Sequence, residues 1–262
     1  MEIQVLQNKA VIYNFLKTAA EHQIYCIGDL DSFFWPKTTW YALVEADTIK
    51  SIALLYTGIE TPAFLLFNTG ERRFSEHLLT GLKSVLPPKF NAHLSPGLIN
   101  LFENKNIIEH YGFSHKMVLR KKADHPNDIN IRRLALDDIP AVEALLSIAY
   151  PQNWFDRRMV STNKYFGYFC ENQLTGVAGV HVYSEEYRVA ALGNIATHPA
   201  FRGKKIASRL TAALCYDLEK TVSIIGLNVR AENKGAIKCY QALGFEAIGS
   251  YDECFIKNDA AE

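Results

Sequence analysis

The sequence predicts an α/β (α+β) fold built as two tandem domains, each a mixed central sheet flanked by helices. Three observations predict it. Both halves run through the same order of patterns, which is strands, helix, strand, helix, strand. The approach to the closing strand recurs, as Tyr111-Gly112-Phe113 in the first half and Leu243-Gly244-Phe245 in the second. Between the halves, residues 121–128 are polar, charged and hold one proline, the composition of a linker. The expected domains are 1–122 and 129–258.

In the first half, residues 5–20 show helical spacing, with Ile12, Phe15, Leu16 and Ala19 on one side. Residues 25–35 are aromatic and irregular. Strands are expected at 40–45, 49–56 and 63–67, punctuated by Thr57-Gly58 and Asn68-Thr69-Gly70. A helix over 74–86 ends at Pro87-Pro88, since proline cannot continue it. A strand at 90–94, a short helix at 97–104 and a strand at 113–119 close the half.

The second half opens with alternation over 129–134. Asp137-Asp138-Ile139-Pro140 then begins a helix to about residue 149, with carboxylates at its positive end and proline in its first turn. Residues 151–163, with Trp154 and Phe155, read as a loop or short helix. A hairpin over 165–170 and 174–183 turns at Glu171-Asn172-Gln173, and Glu185-Glu186 marks the next turn. An uncharged run, 190–197, is broken by Pro199 and followed by the basic turn Arg202-Gly203-Lys204-Lys205. Ile206, Leu210, Leu214 and Leu218 then recur every four residues, one face of a helix. A strand therefore feeds a cationic turn that opens a helix. The first amides of a helix lack partners and its dipole is positive there, so the place suits a phosphate. The next strand, 223–229, leads to Asn233, which suits an N-cap. Ala236, Tyr240 and Leu243 share a helix face, and Gly244 suits the position that ends it. Residues 245–256 supply the last strand or strands, and 258–262 form a frayed tail.

The whole chain bounds the function. It has 262 residues, 48% of them hydrophobic, which is ample core material for a globular protein. Lys and Arg number 28, Asp and Glu 28, so net charge is zero; this argues against a broad basic surface for nucleic acid. Cys26, Cys170, Cys215, Cys239 and Cys254 show no C-x-x-C spacing and fit buried thiols in a reducing compartment. No His/Cys/Asp/Glu cluster has metal-site spacing, and His125 reads as a solvated linker residue. The start, MEIQVLQNKA, shows no secretory pattern, and no uncharged apolar run reaches the ~18 residues that span a bilayer. The expectation is a cytoplasmic protein without a membrane segment.

Two stretches of the second half together resemble the GNAT superfamily of acyl-CoA-dependent N-acyltransferases. The family's cofactor loop, [QR]-x-x-G-x-[GA], falls on Arg202, Gly203, Lys204, Lys205, Ile206 and Ala207, with Lys205 where the family usually has glycine. The pattern N-x-x-A-x-x-x-Y-x-x-x-G-F matches at every fixed position from Asn233 to Phe245. The resemblance covers about residues 129–257. The first half would be a degenerate second copy, because its turn, Thr69-Gly70-Glu71-Arg72-Arg73, carries an acid and no second small residue. Two-part acyltransferases that use glycine or related acceptors share this architecture.

The resemblance implies transfer of an acetyl or other short acyl group from acetyl-CoA, a cosubstrate, to a small-molecule primary amine. Neither metal, nucleic acid nor membrane takes part, and the protein is a monomer or homodimer. Backbone groups of Ile195, Ala196 and Thr197 would bond the pantetheine in a splayed strand. Amides from Gly203 to Ser208 would hold the pyrophosphate. Asn233 would bond the pantetheine arm or a water, and Tyr240 would be the general acid. Lys205 is expected to be tolerated, since a helical start needs no positive φ at every residue. His181, Glu185, Glu186 and Asp252 remain open as bases, and His198 is expected to pack near the cofactor strand. In the family the region 151–163 often roofs the acceptor, so Trp154 and Phe155 could contact it. Two alternatives stay open: an acyl-CoA-binding sensor or scaffold without catalysis, and an amino-acid N-acyltransferase using a longer acyl group.

Overall fold

In the computed structural model, residues 1–123 and 127–259 are described. In chain order the elements are β1 (Glu2–Leu6), α1 (Lys9–Leu16), α2 (Ile24–Gly28), β2 (Thr38–Glu45), β3 (Thr48–Tyr56), β4 (Ala63–Leu66), α3 (Arg72–Leu82), β5 (Lys89–Leu94) and β6 (Ile107–Leu119). They continue with β7 (Ile131–Arg133), α4 (Ile139–Ala149), β8 (Phe166–Cys170), β9 (Gln173–Ser184), β10 (Val189–Thr197), α5 (Ile206–Leu218), β11 (Ile224–Arg230), α6 (Lys234–Ala242) and β12 (Phe245–Lys257). Two compact units result. One holds Met1–Lys116, Arg230–Glu232 and the chain from Ile248 onward; the other holds Met117–Val229 and Asn233–Ala247.

The first unit is a mixed sheet in the order β1-β2-β3-β4-β5-β12. Strands β1 to β4 pair antiparallel, and β4 and β5 pair parallel across α3. The free edge of β5 is taken by the last strand of the chain, from Asp252 opposite Leu94 to Lys257 opposite Lys89. This differs from the expected boundary, which placed all of 129–258 in one domain. The reason is main-chain pairing: the alternation of buried Cys254 and Ile256 would serve either sheet, and their side chains join the first unit's core. Asn258 fixes the strand end by donating from its amide nitrogen to the carbonyls of Lys83 and Leu86.

Several first-half expectations change. Residues 2–6 form a strand, and the helix starts only at Lys9, because the Asn8 side chain accepts from the amides of Ala10 and Val11 and sets the cap there. The chain tightens to a 3₁₀ segment over Lys17–His22, where Ala19 leaves helical angles. The irregular stretch 25–35 contains most of the short helix α2. Residues 97–104 make 3₁₀ turns rather than a helix, and β6 begins at Ile107 rather than 113. His125 and residues 260–262, expected as linker and frayed tail, lie outside the described residues.

The second unit orders its strands β11-β10-β9-β8-β7. Antiparallel pairs run from β7 to β10, and β10 and β11 pair parallel across α5. The hairpin between β8 and β9 turns through Glu171 and Asn172, both at positive φ. Ile206, Leu210, Leu214 and Leu218 of α5 are all buried in the core, as the four-residue spacing predicts. Each unit thus repeats one topology: a strand, helical segments, three antiparallel strands, a helix, and a strand parallel to the one before that helix.

In the first unit Lys116 is buried. Its Nζ donates to the His22 carbonyl at 2.6 Å and sits 3.0 Å from the Phe67 ring centre. Burial pulls its ammonium down to about 7. Between that value and 10.5 the unfolded chain binds the extra proton, so stability rises with pH through this window. The wild type should therefore gain melting temperature relative to Lys116→Met between pH 7 and about 9. A parallel course for the two proteins in thermal unfolding would show that Lys116 is charged in the folded state throughout.

Candidate active site

Strands β10 and β11 part company. Their parallel ladder runs from Val189 opposite Ile224 to Leu192 opposite Leu227, while β10 continues to Thr197 and β11 to Arg230. A bulge in β10 accompanies the parting. The register with β9 slips between Gly193, opposite Gly179, and Ala196, opposite Val177, and Asn194 within the bulge has φ 52°. Position 193 must be glycine for a local reason: a Cβ there would lie 2.0 Å from the His181 ring. On its other edge β10 stays paired with β9 to Thr197, and the His198 amide donates to the Thr175 carbonyl. A sheet interior thus carries a cleft with main-chain groups along one wall. On this stretch of β10, Thr197 Oγ1 and Asn194 Oδ1 are buried and have no hydrogen-bond partner among the described residues.

The cleft leads to the start of α5. A 3₁₀ turn, Pro199–Phe201, is held by the Ala200 amide donating to His198 Nδ1, and Arg202 follows in extended conformation. His198 therefore builds the turn, and its ring meets Phe201 edge-on at 5.7 Å. The Arg202 guanidinium donates to the Thr197 and Ala149 carbonyls, bracing the loop against β10 and α4. Gly203 has φ 79°. Lys205 stands at the N-cap with φ 60° and ψ 20°, and no side chain caps the helix. The first amide to reach back to a helical carbonyl is that of Arg209, bonded to Lys205 O, so those of Ile206, Ala207 and Ser208 precede the ladder. Lys204 and Lys205 are exposed beside them.

The expectation for Lys205 is thereby corrected. This position does take positive φ, which explains a glycine preference there, and lysine adopts it at a cost. Lys205→Gly and Lys205→Ala remove the same charge, but only glycine relieves the backbone. Glycine's greater freedom in the unfolded chain offsets part of the gain. The glycine variant should be more stable than the alanine variant by about 1 kcal/mol in denaturant unfolding; equal stabilities would deny the left-handed cap.

Helix α6 follows β11. Asn233 caps it by accepting the Ala236 amide through its side-chain carbonyl, and Gly244 ends it at φ 92°. Tyr240 is buried from α6, edge-on to Phe245 at 5.9 Å. Burial drives its phenol well above the ordinary tyrosine range, so it stays protonated.

The base candidates separate. His181 lies on β9 with its ring over Gly193 of the bulge. Glu185 and Glu186 are exposed in a turn, and Glu185 lies 3.3 Å from the Tyr183 phenol. Asp252 belongs to the first unit, where it accepts the Gly97 amide and lies 3.1 Å from His110. Among the described residues, no group of three or more His, Cys, Asp or Glu could hold a metal.

Sequence reading gives no role to Tyr165 or Asn194, yet they meet beside the cleft: Asn194 Nδ2 donates to the Tyr165 phenol at 2.9 Å. An asparagine in the middle of an uncharged strand was the available signal. It is a poor strand former but tolerates positive φ, and so marks a bulge.

Residues 130–245 match the family model described as Acetyltransferase (GNAT) family. That segment carries the likeness to the GNAT family, over less than half of the chain. Around it, the chain shares its fold with a putative GNAT acetyltransferase of Novosphingobium aromaticivorans, at 16% identity and TM-score 0.62 over 83% of this chain and 91% of that one. A tandem GNAT protein from the clavulanic acid biosynthesis pathway aligns at 13% identity and TM-score 0.60, over 98% of this chain and 99% of that one. The shared fold therefore extends over the first half. An uncharacterized protein of Mycobacterium leprae (strain TN) is 36% identical over 105 residues, 38% of this chain and 28% of that relative's length.

Proposed function

We propose that the second unit transfers an acetyl or other short acyl group from acyl-CoA to a small-molecule primary amine by direct attack. One observation carries the reading: β10 and β11 separate beyond Leu192 and Leu227, and the cleft opens onto the uncapped start of α5. An extended chain bearing amides fits the β10 main-chain groups that β11 leaves without a strand partner, and a diphosphate fits the free amides of a helix start. Main-chain groups of Ile195, Ala196 and Thr197 would hold the pantetheine arm. Amides from Gly203 to Ser208 would hold the diphosphate, with Lys204 and Lys205 adding positive charge and Arg202 holding the loop in shape. Asn233 has its carbonyl oxygen committed to the cap, so only its side-chain N–H groups remain for the arm or a water.

The CoA thioester supplies an acyl carbon open to attack. The amine's lone pair forms the C–N bond, the C–S bond breaks, and its electron pair stays on sulfur. Tyr240, kept protonated, gives sulfur a proton or hydrogen bond. The amine sheds one proton, and His181 is the base candidate that the structure places against the β10 bulge. The five thiols are free, which suits a reducing, cytoplasmic setting. Among the described residues no helix is long and apolar enough to cross a membrane. The reading holds equally for a monomer or a homodimer.

Calorimetry should show acetyl-CoA binding to the folded protein with one site per chain, and no binding would overturn the reading. Binding without thiol release across a panel of primary amines would leave a CoA-binding protein without catalysis. Tyr240→Phe should lower kcat about 100-fold with the acetyl-CoA KM changed less than about twofold. Because burial raises the phenol's pKa, the donor persists at high pH, and the wild-type rate should show no loss assignable to tyrosine between pH 9 and about 10. An unchanged kcat in Tyr240→Phe would remove the proton-donor role.

A further inference from the structure

Asn194 is a polar residue in the middle of the sheet, 2% exposed, and its hydrogen bonds can be accounted for atom by atom. A phenol has one proton to give. The Tyr165 hydroxyl donates to the Val180 carbonyl at 3.0 Å and also has the softer sulfur of Met159 at 3.5 Å. With its proton spent on the carbonyl it can only accept, so the asparagine must turn its NH₂ towards it, at 2.9 Å. The same nitrogen lies 3.9 Å from Met159 Sδ. This fixes the amide's orientation and leaves Oδ1 as a buried acceptor with nothing to accept. Phe155 packs edge-on to Tyr165 at 5.8 Å and helps hold the arrangement. A buried carbonyl oxygen without a donor is costly, and a ligand N–H is one group that can complete it.

Its position along β10 selects the ligand. The diphosphate belongs at the start of α5, beyond the C-terminal end of β10. The acyl end must then reach the closed end of the cleft, near Leu192 and Leu227, and Asn194 lies just past that last pair. Resting on the reading above, we propose that Asn194 Oδ1 accepts one N–H of the attacking amine and makes the site selective for primary over secondary amines. A primary amine brings two N–H bonds. During transfer the C–N bond forms, the C–S bond breaks with its electron pair to sulfur, and one N–H proton leaves the nitrogen. The other N–H remains in the amide product and stays bonded to Asn194. A secondary amine has one N–H, which must leave, so Oδ1 loses its donor as the reaction proceeds.

The probes are methoxyamine and its N-methyl derivative, N,O-dimethylhydroxylamine, which are small, neutral at pH 7 and react through nitrogen. Acetyl-CoA consumption should be accelerated for methoxyamine at least about 10-fold more than for the N-methyl compound, after correction for the uncatalysed rates. Asn194→Gly keeps the positive φ while deleting the amide, and should bring that ratio to within about twofold of unity. Tyr165→Phe frees the amide to rotate and should lower the same ratio. Independently of turnover, the Asn194 side-chain resonances of ¹⁵N-labelled protein saturated with CoA should shift with methoxyamine and not with the N-methyl compound. A merely structural asparagine would lower melting temperature in Asn194→Gly but leave the ratio and the resonances unmoved, overturning the proposal. Acetyl-CoA binding with neither probe accelerated also overturns it, since such small amines reach any open acceptor site. Failure to bind acetyl-CoA instead defeats the reading on which it rests.

Discussion

The central constraint on the second unit is an interruption in main-chain hydrogen bonding. Past Leu192 and Leu227, two neighbouring parallel strands stop satisfying one another in the middle of a sheet. Buried peptide groups carry a desolvation cost when unpaired, so such a gap persists only where surrounding structure enforces it and something else can fill it. Here the enforcement is the β10 bulge at Asn194, anchored by the Tyr165 phenol on one side. The His181 ring closes over Gly193 at the same point. In the proposed function the extended amide chain of a CoA thioester would fill it.

The first unit repeats the topology without the interruption. Its parallel pair, β4 and β5, is laddered over the whole of β4, from Ala63 opposite Asn91 to Leu66 opposite Leu94. The seal continues past the strand end, where the Ser95 amide donates to the Leu66 carbonyl and Ser95 Oγ accepts the Asn68 amide. Glu71 stands at the N-cap of α3, where an anion would meet its charge. This unit keeps the fold while its parallel pair stays laddered. Its polar burial is of another kind, a lysine held over Phe67.

Much of this was legible in the residues. The strands of the second unit lie where alternating or uncharged apolar runs place them, the α5 face follows from four-residue spacing, and Asn233 and Gly244 behave as the cap and stop their types suggest. Three things were not legible. The strand Glu2–Leu6 has no signal of its own, since helical spacing runs from residue 5 across its last two residues while the Asn8 cap sets the true helix start. The transfer of the chain from Ile248 onward to the first unit is a matter of pairing partner, which alternation cannot encode. The left-handed angle at Lys205 is imposed by the entry into α5 and contradicts the preference of its own residue type. The cleft itself lies between these cases: its location was readable from the basic turn, while its opening depends on a bulge that a single mid-strand asparagine only hints at.

Amide hydrogen exchange measures the interruption most directly. In the free protein, peptides covering Ile195–Thr197 and the turn from Gly203 to Ser208 should exchange faster than those covering the laddered stretch of β10 around Ala190 and Ala191. Adding CoA should slow both peptides together. Equal protection of Ile195–Thr197 and the laddered stretch in the free protein, or no slowing with CoA, would contradict the account.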